Sequence, residues 1–384
     1  MENYSIREKD GSTWQLNQKI FGPLWPYIID KNVTDVDWDG KALWIESVDG
    51  KSKRIDNAEV NETFVINFTE HISNHSNSKF NAAYPVMETE TETLRITCGH
   101  EDFFQSGRCF AIRKSLPELR YTALDAVENK FCEEKILHLV ANCMKAGLSS
   151  VVFGEPSAGK TEFAKFISSF IKEEENVITI EDTKEWHYSK INPGKRCIEI
   201  KVQIDEENKT EMFEEYTKAL KTALRLNPKW IMLSETRSKE VLYLIEALSN
   251  GVSGITTMHT NDVRNLEERT VSMLGNLAEI DVITNILYTF MNAGILVQKV
   301  FDEHGNKTRK ITQFCFYYRE NDENKCAMIL ENGQLDMDAI PETILRKFKD
   351  KGIEEPFYSE ELSKRMQENF ENRIVEQEVA DEIV

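Results

Sequence analysis

The segment GEPSAGKT at residues 154–161 constrains the fold more than any other part of this 384-residue chain. It matches the phosphate-loop pattern G-x-x-x-x-G-K-[ST], in which glycines let backbone N–H groups turn inward towards phosphate oxygens. The apolar run SSVVF precedes it, and KTEFAKFISSF follows with the spacing of a helix. A strand, a glycine-rich turn and a helix in this order predict one unit of a parallel α/β sheet.

The phosphate loop supplies most of the predicted nucleotide contacts. They are Gly154, Ser157, Ala158, Gly159, Lys160 and Thr161. Lys160 places a positive charge near the β- and γ-phosphates, and the Thr161 hydroxyl is a predicted ligand of Mg²⁺. Ser157 stands where many such loops carry another glycine. If its backbone needs a positive φ, serine costs roughly 1 kcal/mol of strain. From these contacts we expect ATP and Mg²⁺ as cofactors. Strain at Ser157 would lower the affinity for the nucleotide.

Three later strand-like runs end in side chains suited to nucleotide chemistry. They are ITIED at 178–182, WIMLSE at 230–235 and GITTMHT at 254–260. Because the carboxyl ends of parallel strands meet at the ligand-binding edge, the candidate catalytic residues are Glu181, Asp182, Glu235 and His259. Asp182 is also a candidate Mg²⁺ ligand, and Glu235 is the candidate for orienting the attacking water. Arg237 is a candidate phosphate contact.

Each of these candidates also has a structural interpretation. Asp182 is suited to cap a turn that begins at Thr183. Arg237 lies close enough in sequence to pair with Glu235 instead of a phosphate. A single histidine such as His259 is more often a hydrogen-bonded structural residue than a catalyst. Its position at a strand end nevertheless suits a sensor of the γ-phosphate.

The patterns along the chain divide it into five predicted regions. They are an irregular N-terminal arm (1–30), a smaller α+β domain (31–120), a linker with a lead-in helix (121–147), an α/β nucleotide-binding domain (148–320) and a partly helical C-terminal extension (321–384). Strand and helix patterns alternate through most of the fourth region. That alternation predicts a parallel sheet covered by helices on both faces.

Four local patterns make further predictions. Asp39-Gly40 between two alternating runs predicts a β-hairpin. TFVINFTEHISNHSNSKF predicts a strand that runs into a helix, and ILVQKVFDEHGNKTRKITQFCFYY predicts a second hairpin that turns at 302–306. One helical stripe in the tail contains Leu362, Met366, Phe370, Ile374 and Val379. This stripe either packs on its own domain or binds a partner.

The composition narrows the class of partner and the compartment. The chain has 66 acidic and 47 basic residues and a formal net charge of −19, whereas general nucleic-acid binding needs a basic face. We therefore expect no direct sequence-specific binding to nucleic acid. Seven cysteines without a C-x-x-C pair argue against a zinc ribbon or a disulfide framework. The polar N-terminus and the lack of a long apolar run predict a cytoplasmic protein with no membrane span.

Taken together, the four segments resemble the Walker A, Asp, Walker B and His boxes of the type II/type IV secretion ATPase superfamily. The family's ALR-x-x-P element is matched by Ala223, Leu224, Arg225 and Pro228. FAIRKS is similar to its S-I-R-K element, in which the arginine approaches the nucleotide, and this implies the same role for Arg113. VTDVDWDGKALWIES resembles the family's early strands. The resemblance covers roughly residues 31–318.

The resemblance implies an α/β fold with a RecA-like P-loop NTPase motor domain at 148–320 and a smaller α+β N-terminal domain. It also implies a homohexameric ring, with ATP held between the two domains. The partner would be the cytoplasmic face of an inner-membrane secretion or pilus complex, to which the protein would attach peripherally. The chain looks closer to the conjugation and tight-adherence pilus branch, because the general secretion branch often carries a tetracysteine zinc motif.

Three positions depart from the family pattern. Ser157 replaces a loop glycine, Ser234 replaces the glycine before Glu235, and Val252 replaces the histidine after Gly251. Because the phosphate-loop lysine and threonine, the acidic residue and the histidine all remain, we expect slow hydrolysis of ATP. Two alternatives stay open. One is a RecA-like DNA-translocating ATPase, and the other is an assembly scaffold that binds ATP without turnover.

Overall fold

A computed structural model describes residues 5–7, 13–76, 78–120, 122–202, 209–236, 240–274, 280–301 and 307–383. The chain forms two compact units. The N-terminal unit contains Met1–Pro117 with Thr183–Glu185, and the C-terminal unit contains Glu118–Asp182 with Trp186–Val384.

The N-terminal unit is built on a six-stranded antiparallel sheet in the order β5-β4-β3-β8-β7-β6. Its elements are β1 (Ser5–Arg7), β2 (Thr13–Gln15), α1 (Gln18–Phe21), α2 (Trp25–Ile29), β3 (Val33–Trp38), β4 (Leu43–Ser47), β5 (Ser52–Ile55), α3 (Glu62–Ser76), β6 (Val86–Glu90), β7 (Leu94–Gly99) and β8 (Cys109–Lys114). The predicted hairpin at Asp39-Gly40 is confirmed as β3–β4. The Asp39 carboxylate stabilises this turn by accepting hydrogen bonds from the backbone N–H groups of Lys41 and Ala42.

Two sequence predictions for this unit are wrong. The segment predicted as a strand running into a helix is the single helix α3, whose Val65, Phe68 and Ile72 are buried at helical spacing. The region before residue 31, predicted as an irregular arm, contains the short helices α1 and α2. Phe21 and Ile28 from these helices are fully buried in the same core. Short helical turns carry too few residues for a periodic pattern, so the sequence gives no clear signal for them.

The C-terminal unit contains a nine-stranded sheet in the order β11-β10-β12-β13-β9-β14-β15-β16-β17. Its elements are α4 (Ala123–Glu128), α5 (Glu134–Ala146), β9 (Ser149–Phe153), α6 (Lys160–Ser168), β10 (Val177–Glu181), α7 (Tyr188–Ile191), β11 (Cys197–Lys201), α8 (Lys209–Arg225), β12 (Trp230–Leu233), α9 (Glu240–Ser249), β13 (Ser253–Met258), α10 (Leu266–Leu274), α11 (Ile280–Phe290), β14 (Met291–Phe301), β15 (Lys307–Glu320), β16 (Glu323–Glu331), β17 (Gln334–Leu335), α12 (Glu342–Lys349) and α13 (Glu360–Ile383).

The six strands from β11 to β14 are parallel, and helices cover both faces of the sheet, as predicted. One core contains Leu139 of α5 and Phe163 of α6. The other contains Leu220 of α8 and Leu244 of α9. The strand β11 and the helix α11 were not predicted. As the first strand of the sheet, with none of its residues buried, β11 lacks the apolar run that marks the inner strands.

The sheet continues beyond residue 320, where the sequence prediction ended the nucleotide-binding domain. The predicted hairpin β14–β15 is present, although its turn at 302–306 lies outside the described residues. Strands β16 and β17 then extend the same sheet. Phe348 of α12 and Leu362 of α13 are fully buried in the core that also contains Phe163. Much of the C-terminal extension therefore packs as part of this unit.

The apolar stripe of α13 divides into two parts. Leu362 is buried and Met366 packs against the core, which confirms packing on its own domain for this part. Phe370 and Ile374 are 53% and 40% exposed, and the side chain of Val379 lies outside the described part of the helix. In the described residues, no helix is long and apolar enough to cross a membrane.

Candidate functional site

The phosphate loop lies between β9 and α6, with its backbone in conformations that favour glycine at three positions. Gly154 has φ 155° and Gly159 has φ 94°. A Cβ atom added to Gly154 would lie 2.3 Å from the backbone oxygen of Val297, which no side chain allows. Ser157 has φ 58°, so the positive φ considered from the sequence is present at a serine. The loop therefore has the curved backbone that a phosphate cradle requires.

Lys160, the first residue of α6, folds back onto its own loop. Its side chain is almost completely buried. The Nζ atom donates a hydrogen bond to the backbone oxygen of Glu155 at 3.1 Å and lies 3.1 Å from Nδ1 of His259. The ammonium group is thus held at the mouth of the cradle, next to the positive end of α6. This is the charge distribution that attracts a phosphate.

His259 joins the phosphate loop to the end of β12. Its Nε2 atom lies 2.7 Å from Oε1 of Glu235, and its Nδ1 atom lies 3.2 Å from the backbone oxygen of Gly154. With its proton on Nε2, a neutral ring donates to Glu235 and accepts at Nδ1 from Lys160, and its Nδ1 makes no hydrogen bond to the Gly154 oxygen. A second proton on Nδ1 would face the lysine ammonium. The structure therefore brings together three of the predicted site residues, Lys160, Glu235 and His259.

Buried threonines hold the ends of β12 and β13 in register beside this site. The hydroxyls of Thr236 and Thr256 are hydrogen-bonded at 2.7 Å, and the Thr257 hydroxyl donates to the backbone oxygen of Ser234 at 2.7 Å. All three threonines are buried. Sequence reasoning missed these contacts, because the partners come from two different segments of the chain. They fix the separation of Glu235 and His259.

The acidic pair at the end of β10 contains one buried residue, Glu181, and one half-buried residue, Asp182. Glu181 is 5% exposed, and its Oε1 accepts a hydrogen bond from the backbone N–H of Trp186 at 2.9 Å. It therefore closes the loop that follows the strand. The next helix after Asp182 begins at Tyr188, and its N-terminal cap is His187. The interpretation of Asp182 as the cap of a turn at Thr183 stays a prediction.

The residues present suit a Mg²⁺ ion bound together with a nucleotide. Thr161 lies in the first turn of α6, and Asp182 follows β10 in the same sheet. Among the described residues, no group of three or more His, Cys, Asp or Glu side chains is arranged to hold a metal ion. A Mg²⁺ site of the phosphate-loop type needs no such group, because nucleotide oxygens and water complete the ion's coordination. The glycine cradle and the adjacent hydroxyl fit that type.

The sequence also predicted two arginines as phosphate contacts, Arg113 and Arg237. Arg113 is on β8 of the N-terminal unit, with its side chain 61% exposed and its Nε donating to Oδ1 of Asp35 at 2.9 Å. Burial and the neighbouring Asp35 raise the pKa of Asp37 to about 6, although Arg113 acts in the opposite direction. Arg237 and any pairing it makes with Glu235 lie outside the described residues.

Arg309 on β15 is a neighbour of the phosphate loop that sequence reasoning missed. Its Nε and Nη2 atoms both lie 3.4 Å from the backbone oxygen of Ser157. Its Cδ atom lies 3.2 Å from the position that a Cβ atom on Gly159 would occupy. The guanidinium therefore lies against the loop at its strained serine. No local spacing predicts a contact between residues 152 positions apart.

Comparison with known proteins adds evidence that is independent of the site geometry. A family model described as "Type II/IV secretion system protein" matches residues 103–377, well over half of the chain. The chain belongs to this family. The resemblance inferred from the four boxes is thereby confirmed, and the family match includes β8, the phosphate loop and the C-terminal sheet.

Solved structures of other proteins share the fold of this family member. The ATPase DotB of Yersinia pseudotuberculosis aligns with 78% of this chain and 79% of its own, with a TM-score of 0.59 and 16% identity. DotB of Legionella pneumophila aligns with 83% of this chain and 85% of its own, with a TM-score of 0.56 and 16% identity. The pilus retraction motor PilT with bound ADP aligns over 86% of both chains, with a TM-score of 0.53 and 15% identity. These alignments confirm the predicted fold, a RecA-like P-loop domain with a smaller N-terminal domain.

Related sequences cover different lengths of the chain. An uncharacterised protein of Bacillus anthracis is 24% identical over 349 residues, which is 86% of this chain and 76% of that protein. The type IV secretion system protein PtlH of Bordetella pertussis is 31% identical over 117 residues, which is 30% of this chain and 33% of PtlH. The match to PtlH is therefore local.

Proposed function

We propose that this family member is the ATP-hydrolysing motor of a type IV secretion, conjugation or pilus-assembly machine. One observation carries the proposal. His259, after the end of β13, lies 3.1 Å from Nζ of the phosphate-loop Lys160 through its Nδ1 and 2.7 Å from Oε1 of Glu235 through its Nε2. A cation for the phosphates and a carboxylate that orients water are groups that phosphoryl transfer to water uses.

In this proposal the phosphates of the nucleotide replace the present hydrogen-bond partners of Lys160. The ammonium leaves the Glu155 carbonyl and His259 and binds the β- and γ-phosphate oxygens, while the N–H groups of the loop surround the phosphates. Glu235 then orients the attacking water and polarises it. His259 contacts both Lys160 and Glu235 before ATP binds, so the departure of Lys160 signals the presence of the γ-phosphate to the carboxylate that orients water.

The remaining predicted site residues have supporting roles in the proposal. Thr161 and Asp182 would hold Mg²⁺, which supplies positive charge to the phosphate oxygens. Glu181 keeps the loop after β10 closed, and thereby positions Asp182. Arg113 approaches the phosphates of ATP held between the two domains, and Arg237 contacts phosphate near Glu235.

We further propose that the motor works as a homohexameric ring on the cytoplasmic face of an inner-membrane secretion or pilus complex. The support is the family membership, together with relatives whose own names describe an ATPase, a pilus retraction motor and a type IV secretion system protein. ATP binding would close each subunit, and hydrolysis with product release would reopen it. Sizing the protein with and without ATP tests the ring.

Phosphate release from the purified chain tests the site itself. Lys160→Ala should abolish ATP hydrolysis, and Glu235→Gln should lower kcat by about 100-fold or more while ATP still binds. Lys172→Ala is the matched control, because Lys172 is an exposed lysine after the end of α6. Normal hydrolysis by Lys160→Ala would refute the site assignment.

The same assay separates the two alternatives. Tight ATP binding without phosphate release from the assembled ring would favour a scaffold. Strong stimulation of hydrolysis by single-stranded DNA would favour a DNA-translocating ATPase.

A further inference from the structure

One face of the N-terminal sheet places charged side chains in a row across four strands. The register pairs Glu46 of β4 with Asp35 of β3, Asp35 with Arg113 of β8, and Arg113 with Arg95 of β7. Directly opposed residues of an antiparallel pair project from the same face of the sheet. Arg113 therefore lies between an aspartate on one side and another arginine on the other.

The two arginines in this row have different partners. Arg95 donates from Nη2 to Glu88 on β6 at 3.0 Å. Arg113 donates from Nε to Oδ1 of Asp35 at 2.9 Å. Within the described part of the chain, this is the one hydrogen bond found for the Arg113 guanidinium. Its two Nη groups are therefore available to another ligand.

Asp35 is largely buried, whereas Arg113 is largely exposed to solvent. The Asp35 side chain is 16% exposed, and the Arg113 side chain is 61% exposed. A carboxylate held against the sheet thus anchors the inner part of a guanidinium whose outer part faces solvent. An arginine side chain loses rotamer freedom when it binds a ligand, and an anchor at Nε removes part of that freedom in advance.

The chemistry of the guanidinium explains why an anchor at Nε matters. The group has five N–H donors in one plane, and two parallel N–H bonds to phosphate give its strongest contacts. Binding Asp35 through Nε fixes the plane while both Nη groups remain available for phosphate oxygens. A partner at the Nη groups would instead compete directly with the phosphate.

We propose that Asp35 is a positioning residue that holds Arg113 ready for the phosphates of ATP. The proposal rests on the proposed role of Arg113 as a phosphate contact. Asp35 itself touches neither nucleotide nor water, and acts through the orientation of the guanidinium. Its side chain supplies geometry through one hydrogen bond, so the acceptor atom matters more than the negative charge.

Two substitutions at Asp35 separate geometry from charge. Asp35→Ala removes the acceptor and should lower kcat for ATP hydrolysis by about tenfold, which corresponds to about 1.4 kcal/mol of transition-state stabilisation. Asp35→Asn retains an acceptor oxygen in the same place and should restore kcat to within about threefold of the original chain. The Michaelis constant for ATP should change by less than about twofold in both variants.

Glu46→Ala is the matched control. Glu46 lies on the other side of Asp35 in the same row and carries the same charge. The structure shows no hydrogen bond between the described side chains of Glu46 and Arg113. Its truncation should therefore leave kcat within about twofold of the original value.

The double variant Asp35→Ala/Arg113→Ala completes a thermodynamic cycle. If Asp35 acts through Arg113, the double variant should hydrolyse ATP as slowly as Arg113→Ala alone. Thermal midpoints of all variants identify any loss of kcat that comes from unfolding. Additive losses, or a normal kcat for Asp35→Ala while Arg113→Ala is slow, would overturn the positioning role. A normal kcat for Arg113→Ala would instead overturn the phosphate contact on which it rests.

Discussion

Asp37 on β3 provides a stability test whose sign depends on pH. Burial raises the pKa of this carboxyl to about 6 from 3.8, and the negative charge of Asp35 adds to the effect. A raised pKa means that the folded protein favours the protonated form. The resulting stabilisation is fully present below pH 3.8 and is lost as the pH rises through about 6.

The magnitude follows from the size of that rise. At about 1.4 kcal/mol for each pKa unit, a rise of about two units corresponds to about 3 kcal/mol. Asp37 is only half-buried, so solvent screening reduces the expected cost of its ionisation to about 1 kcal/mol. Asp37→Asn removes this cost because an amide does not ionise. The variant should be more stable than the original chain by about 1 kcal/mol at pH 8, and by much less at pH 4.5.

Urea denaturation followed by tryptophan fluorescence measures this difference, because Trp38 and Trp44 lie in the β3–β4 hairpin. Asp39→Asn in the same hairpin is the control. Burial acts to raise the pKa of Asp39, but hydrogen bonds from Ala42 and Trp44 outweigh it and lower the pKa. Asp39→Asn should therefore destabilise the protein at pH 8. An Asp37→Asn variant that is equally or less stable than the original chain at pH 8 would refute the reasoning.

Three further predictions concern the C-terminal unit. Burial lowers the pKa of His138, and its Nδ1 accepts a hydrogen bond from the backbone N–H of Ser359 at 2.9 Å. Because protonation of Nδ1 opposes this bond, the stability of the protein should fall below about pH 6.5. The fall should be smaller in His138→Gln. Thermal melts at pH 5 and 7.5 measure this difference. Thr236→Val leaves the buried Thr256 hydroxyl without its 2.7 Å partner and should cost about 1–3 kcal/mol in urea denaturation, which a neutral result would contradict. Ser157 has a positive φ without bound nucleotide, so Ser157→Gly should relieve about 1 kcal/mol of strain that is already present. The Kd for ADP in calorimetry should therefore change by less than about threefold. A tenfold gain in affinity would show that the strain arises on binding.

The phosphate loop and the parallel sheet could be predicted from the sequence because their signals are local. A glycine pattern states directly where the backbone must take positive φ, and Gly154 and Gly159 do so. The inner strands of a covered parallel sheet are apolar throughout, and Val151 and Ile231 follow that rule. Edge strands and short helices lack such signals, which is why β11, α1 and α2 were missed.

The partners of the site residues could not be predicted in the same way. The sequence identified Glu235 and His259 as side chains at strand ends. The 2.7 Å distance between Oε1 of Glu235 and Nε2 of His259, however, depends on the register of β12 and β13. Buried hydroxyls of Thr256 and Thr257 on β13 bind Thr236 and the Ser234 backbone just after β12, and these bonds hold the two strand ends together. The course of the loop after Glu181 likewise depends on a hydrogen bond from the backbone N–H of Trp186 to Glu181, which no local spacing predicts.

The sequence by itself determined that this protein has a phosphate loop, a RecA-like sheet and the four boxes of its family, since these follow from residue type and spacing along the chain. The tertiary structure decided which of those residues meet. The contact of Arg309 with Ser157, the ion pair of Arg113 with Asp35 and the Lys160–His259 contact each join strands or loops far apart in sequence. Such contacts arise only when strand order and register bring distant segments together, and no local pattern records them.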